Sequence, residues 1–135
     1  MRIIGLDFGE KRIGVAVSDE LGMLASGVES YTRTNEKEDL AHLAEIVRRY
    51  QAGRIVAGLP LNMNGTYGPQ AEKYTLLGEK LSRLTGVDVE FVDERLTTSA
   101  ANRVLISADV SRKKRRQVVD VMAAQLILQS YLDRQ

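Results

Sequence analysis

The spacing of apolar positions changes along the chain. Residues 2 to 7, Arg-Ile-Ile-Gly-Leu-Asp, are apolar and β-branched up to an acid, and Ile13 to Ser18 forms a second run of that kind. The short stretch between them, with Gly9, Glu10, Lys11 and Arg12, suits the tip of a hairpin. Residues 23 to 31 read as a third antiparallel strand. From Asn35 the repeat becomes three and four: Leu40, Leu43, Ala44, Val47 and Tyr50 define a helical stripe. Asn35 and Glu38 are spaced as a capping box at its start, and Gly53 marks its end.

Arg54 to Gly58 then predicts a short buried strand, followed by a loop from Leu59 to Gly68. Pro69 opens a second helix with the stripe Ala71, Tyr74, Leu77 or Gly78, Leu81 and Leu84, closed by Gly86. Val87 to Asp93 is a strand running into Glu94 and Arg95, and Thr97 or Thr98 can cap a helix to about Ile106. A basic loop follows, and Val118 to Leu132 forms the last helix. Strands that alternate with crossover helices pair in parallel, whereas the opening hairpins are antiparallel. The expected fold is α/β, a mixed central sheet with helices on both faces. Ligands of such sheets collect beyond the carboxyl ends of neighbouring strands.

At 135 residues, with no internal repeat and no linker, a single domain over 1–135 is expected. The chain has no Cys and one His, which excludes thiol chemistry and Cys-ligated metal clusters and leaves carboxylates, hydroxyls, lysines and hard metals. His42 reads as an ordinary surface residue of the first helix. No apolar stretch approaches the roughly 18 residues that span a bilayer. Met1 leads straight into a strand-like run without a basic leader, so a cytoplasmic location with no membrane partner is expected. The net charge of +1 hides an asymmetry: residues 111–116 hold five positive charges, leaving the rest of the chain net acidic. A polyanion would meet that patch first.

Three carboxylates occupy positions that are costly for structure alone. Asp7 and Glu94 end apolar strands, and Asp120 sits among Val119, Ala123, Leu126 and Ile127 at the apolar edge of the last helix. Buried carboxylates must be paired or bind a metal. If the last helix packs over the sheet beside those strand ends, the three acids converge on an oxygen-rich pocket suited to Mg2+ or Mn2+, able to activate water against a phosphodiester. Each acid also has an alternative: an Asx turn for Asp7, an ion pair with Arg95 or a surface lysine for Glu94, whose place Asp93 next door could take, and an i−4 pair with Arg116 for Asp120.

The stretches Gly5-Leu6-Asp7-Phe8-Gly9-Glu10-Lys11-Arg12-Ile13-Gly14-Val15-Ala16, Gly58-Leu59-Pro60, Asp93-Glu94-Arg95-Leu96-Thr97-Thr98 and Asp120 with Ala123-Ala124 and Ile127-Leu128-Gln129 resemble the YqgF family, also called RuvX. The resemblance spans nearly the whole chain. It implies an RNase H-like fold related to the RuvC Holliday-junction resolvases. It further implies a nuclease that trims the 5′ end of precursor 16S rRNA in ribosome biogenesis, with Asp7, Glu94 and Asp120 as its catalytic and metal-binding acids. RuvC-type resolvases carry two acids about one turn apart on the last helix, whereas here Ala123 and Ala124 follow Asp120 at i+3 and i+4. A fourth ligand is missing there, which leaves one metal, or a second completed by substrate phosphate.

Lys11, Arg12, Arg95 and the run Arg112, Lys113, Lys114, Arg115 and Arg116 are candidate phosphate contacts, which fix position rather than read sequence. In the loop 61–68, Asn62, Asn64 and Tyr67 are candidates for sugar or base. Five Tyr and two Phe, none interleaved with the basic run, make no stacking platform for single strands. The expected partners are precursor rRNA and ribosomal particles, with junction DNA as the alternative substrate. Monomer and homodimer both stay open. A binding module without catalysis is a separate alternative, and an actin-like ATPase lobe, which also opens with Asp7-Phe8-Gly9, needs a second lobe that this length does not supply.

Overall fold

The computed structural model describes residues 1–61, 64–66, 68–93 and 112–135, with side chains from 118 onward in the last segment. Asn62, Tyr67, Glu94, Arg95, the expected helix from Thr97 or Thr98 to Ile106, and the side chains of Arg112 to Arg116 lie outside the described residues. The elements are β1 (Arg2–Phe8), β2 (Arg12–Ser18), β3 (Ala25–Thr32), α1 (Glu36–Arg49), β4 (Ala52–Leu59), α2 (Pro69–Thr85), β5 (Val89–Asp93) and α3 (Arg112–Asp133). The sheet runs β3-β2-β1-β4-β5, antiparallel from β3 to β1 and parallel from β1 to β5. This is the mixed sheet that the alternation predicts.

Period-two alternation sorts each strand onto two layers. Ile4, Leu6 and Phe8 of β1, Ile13 and Val15 of β2, and Ile55 and Ala57 of β4 face Leu43, Ile46 and Val47 of α1 and Tyr74, Leu77 and Leu81 of α2. The opposite face holds Ile3, Ala16 and Val56 against Ala124, Ile127, Leu128 and Tyr131 of α3. Ala123 and Ala124 of α3 are completely buried. No helix among the described residues is long and apolar enough to cross a membrane.

Several boundaries differ from the periodicity, each for a local reason. Helix α1 begins as predicted, with Asn35 Oδ1 accepting from the Glu38 N–H at 2.9 Å. It stops earlier than Gly53, at Arg49: the Tyr50 N–H returns to Ile46 O, and Gln51 takes the left-handed turn at φ 50 that glycine usually supplies. Gly53 thus lies inside β4, under the Met1 side chain. Helix α2 has Gly68 as N-cap, Pro69 in its first turn and Gly86 at φ 75 as C-cap, but Leu84 is exposed rather than on the stripe. Helix α3 starts at Arg112, so the basic run forms its opening turns instead of a loop. A helix dipole disfavours cations there, yet the straight side chains of Lys and Arg have high helix propensity, and propensity prevails.

Candidate nuclease site

One register row carries the site. Asp7 on β1 stands opposite Gly14 on β2 and Gly58 on β4; Gly14 pairs with Ser30 on β3, and Gly58 with Val92 on β5. Directly paired residues share a face, and alternation from Ile3 puts this row on the α3 face. Asp7 is therefore flanked on both sides by glycine, near the carboxyl ends of β1 and β4. It is half-buried.

Helix α3 packs directly on this row. A Cβ built on Gly14 would lie 1.9 Å from the Asp120 carbonyl oxygen, so the helix backbone rests on the bare strand at that point. Only a residue without a side chain permits such an approach. Asp7 and Asp120 thus lean on the same glycine from two sides. Two residues of the neighbouring strands hold the Asp120 carboxylate: Arg12 Nε donates to Oδ2 at 2.5 Å, and Ser30 Oγ donates to the same oxygen at 3.1 Å.

Arg12 and Asp120 are 26% and 19% exposed, so the pair is only partly hydrated. The sequence placed Arg12 at the hairpin tip for phosphate; it is in fact the first residue of β2, aimed at an acid of the site. The predicted i−4 partner of Asp120, Arg116, lies outside the described side chains. Lys11 is exposed at the turn. Asn64 is occupied within its own loop, accepting from the Thr66 N–H and hydroxyl at 3.1 and 2.6 Å. Among the described residues no three metal-capable side chains cluster, and Glu94 falls outside them.

Sequence reasoning missed the support beneath the β1–β2 turn. Asp39, only 1% exposed, accepts from Arg33 Nε at 2.9 Å, from the Tyr31 hydroxyl at 3.0 Å and from the Thr34 N–H at 3.0 Å. Arg33 in turn donates to Gly9 O at 3.0 Å, and its N–H to Lys11 O at 2.9 Å, clasping the turn that joins Asp7 to Arg12. The signal was legible: Asp39 precedes Leu43 and Ile46 at helical spacing, an acid on the apolar stripe. His42 is likewise no plain surface residue. It stacks on Tyr31 with ring centroids 4.1 Å apart and shares a 2.7 Å hydrogen bond with Glu29.

Burial by itself would raise the Asp39 pKa, but the hydrogen bonds from Arg33, Thr34 and Tyr31 outweigh it and hold the carboxyl below its ordinary 3.8. A depressed folded pKa contributes stability that is present above the ordinary value and is lost as pH falls through the folded one. Asp39→Asn should therefore cost about 2 kcal/mol at pH 7, less than the roughly 3–5 kcal/mol for breaking a fully buried pair because Arg33 keeps some water. Urea unfolding of both proteins should show that difference shrinking below about pH 4.

The sheet order, with α3 crossing one face, defines an RNase H-like fold. The likeness to solved structures is of this kind. Thermus thermophilus RuvC in complex with a Holliday junction substrate superposes with a TM-score of 0.62 at 14% identity, covering 99% of this chain and 95% of that one. The fowlpox virus Holliday junction resolvase gives 0.60 at 17% identity, with 100% of both chains covered.

A family model described as "RuvX: Holliday junction resolvase" matches residues 1–134, and the chain belongs to this family of nucleases, hydrolases of phosphodiester bonds. A relative from Symbiobacterium thermophilum is 57% identical over 133 residues, 98% of this chain and 92% of its own length. One from Moorella thermoacetica is 56% identical over 134 residues, 99% and 96%. Both carry the name "Putative pre-16S rRNA nuclease".

Proposed function

We propose that this chain is a metal-dependent nuclease, one domain over 1–135, that processes the 5′ end of precursor 16S rRNA in the cytoplasm during ribosome biogenesis. The observation that supports the reading is the row around Gly14: Asp7 is its partner on β1, and the Asp120 backbone rests on its bare face. Names of relatives above half identity supply the substrate class. Glu94, next in sequence after the last residue of β5, is the third acid of the proposal. The donor set suits Mg2+ or Mn2+: it is all oxygen, and a cation, the Arg12 guanidinium, already sits on Asp120.

When bound, such a metal offsets charge on the phosphodiester and acidifies water. The chain's own residues do the rest. Asp7, Glu94 and Asp120 hold the cation, and Ser30 keeps the Asp120 carboxylate oriented. Lys11 meets phosphate at the exposed turn, while Arg95, Asn62 and the run Arg112 to Arg116 extend the contact along the nucleic acid. These contacts position a backbone and leave sequence largely unread. Ribosomal particles fit such a reader, since a folded precursor presents its cleavage site by shape.

A second reading, resolution of four-way DNA junctions, draws on the RuvC-like fold and requires a dimer to cut two strands symmetrically. The test incubates the protein with 5′-extended 16S precursor RNA, free or in precursor particles, beside a four-way DNA junction, with Mg2+ or Mn2+ and with chelator. Chelator-sensitive cutting at the 5′ extension is the expected result. Cutting of the junction alone moves the assignment to a resolvase, and no cutting of any of the three overturns the nuclease reading in favour of a binding module.

A further inference from the structure

Arg12 is bound where a phosphate-contacting residue should be free. We propose that Arg12 is a built-in counter-cation of Asp120 that competes with the divalent metal for the same carboxylate oxygen, and that metal binding releases it to hold the phosphodiester. The inference rests on the metal-site reading above and adds an order of events to it: metal first, then a freed guanidinium for substrate.

Three observations support competition over a plain structural clamp. Both donors to Asp120, Arg12 Nε and Ser30 Oγ, act on the single oxygen Oδ2, so that oxygen's lone pairs are engaged by the chain itself. A hard cation that takes this oxygen must displace one of those donors. Second, α3 does not depend on the ion pair for its seat. Besides the contact of Asp120 with Gly14, a Cβ on Gly27 would meet Val121 Cγ1 at 2.4 Å and one on Gly5 would meet Leu128 Cβ at 2.7 Å, so the helix lies tightly on three strands. Partly exposed ion pairs contribute little to stability beside such packing.

Third, the backbone of Arg12 is fixed in the sheet while its side chain reaches partly into solvent. Arg12 pairs with Thr32 at the start of β2, one residue from the exposed Lys11, and is itself 26% exposed toward solvent. A long side chain anchored there reaches either the acid or a phosphate above it. Guanidinium keeps its charge at every accessible pH, so the exchange is cation for cation and not a titration. Its planar fork matches phosphate as well as carboxylate, which gives the released group an immediate use.

The test is Mn2+ binding to the full chain without nucleic acid, by calorimetry, for the native protein, Arg12→Gln and Asp120→Asn, with a melting curve of each to verify folding. Arg12→Gln should bind Mn2+ about fivefold more tightly than native, the factor that a partly exposed ion pair is worth. Asp120→Asn should lose most of the binding. Equal or weaker binding by folded Arg12→Gln, with Asp120→Asn still impaired, overturns the competition and leaves the metal site standing. Asp120→Asn binding as well as native overturns both. In the native protein, NMR of the Arg12 Nε–H gives an independent reading: its hydrogen-bonded signal should give way on Mg2+ addition to one exchanging with water, and a signal unmoved at saturating Mg2+ defeats the proposal even if the variants misfold.

Discussion

Asp7→Asn is expected to lower metal-dependent cleavage by about 10³-fold or more while leaving the fold and most of the nucleic-acid affinity in place. The size follows from what a metal-holding carboxylate does: the bound cation supplies several kcal/mol of charge stabilisation, and each 1.36 kcal/mol is a factor of about ten in rate. Asparagine preserves the shape of the side chain between Gly14 and Gly58 but removes the charge that attracts the cation. Affinity should persist because it comes from lysines and arginines on phosphate, the larger part of nucleic-acid binding. Single-turnover cleavage, a melting curve and an affinity measurement on the same preparation separate these effects. A folded variant that cuts at the native rate removes Asp7 from the site. In cells, the same variant distinguishes nuclease from binding module, since only loss of catalysis should make 5′-extended 16S rRNA accumulate.

Gly14→Ala should be the most damaging single change outside the acids. Its new Cβ would fall 1.9 Å from the Asp120 carbonyl oxygen and 2.5 Å from the carbonyl carbon, both main-chain atoms of a packed helix. No rotamer change relieves such a contact, so α3 must lift from β2, at a cost of about 3 kcal/mol or more, at or above the upper end for overpacked cores. The lift would also draw Asp120 away from Arg12 and Ser30, so Mn2+ binding should fall with stability. Gly27→Ala is the control on the same face: its Cβ meets a methyl of Val121, which can rotate, so about 1 kcal/mol is expected. Urea unfolding of the two variants measures the difference. A Gly14→Ala protein as stable as Gly27→Ala would mean that the helix is not seated on that glycine.

These expectations draw on sequence and structure in different proportions. The strands β1, β2 and β4, the cap at Asn35, the Pro69 start and the Gly86 stop were all legible, because each depends on neighbours a few residues away. The acids Asp7 and Asp120 stand out as candidates in the sequence, since a charge at the edge of an apolar run is conspicuous in one dimension. The end of α1 was not: Gly53 looked like the terminator, but Gln51 took the left-handed turn, and the strand pairing of β4 absorbed the glycine. The basic run misled for a similar reason. Its charge density suggested a loop, yet a helix propagating from an apolar stripe accepts good helix formers even where the dipole opposes their charge.

What the sequence determined by itself is the fold class, the family and the identity of the acids that the proposal uses, for these follow from local pattern and from motifs in order along the chain. Tertiary structure alone decided the partnerships: Arg12 with Asp120 across 108 residues, Ser30 on the same carboxylate across 90, and Asp39 reaching through Arg33 to Gly9. The reason is physical. A residue's propensity is set by its own backbone and side chain, whereas the partner of a charge depends on strand register and helix seating, and here both are set by where glycine lets one backbone rest against another.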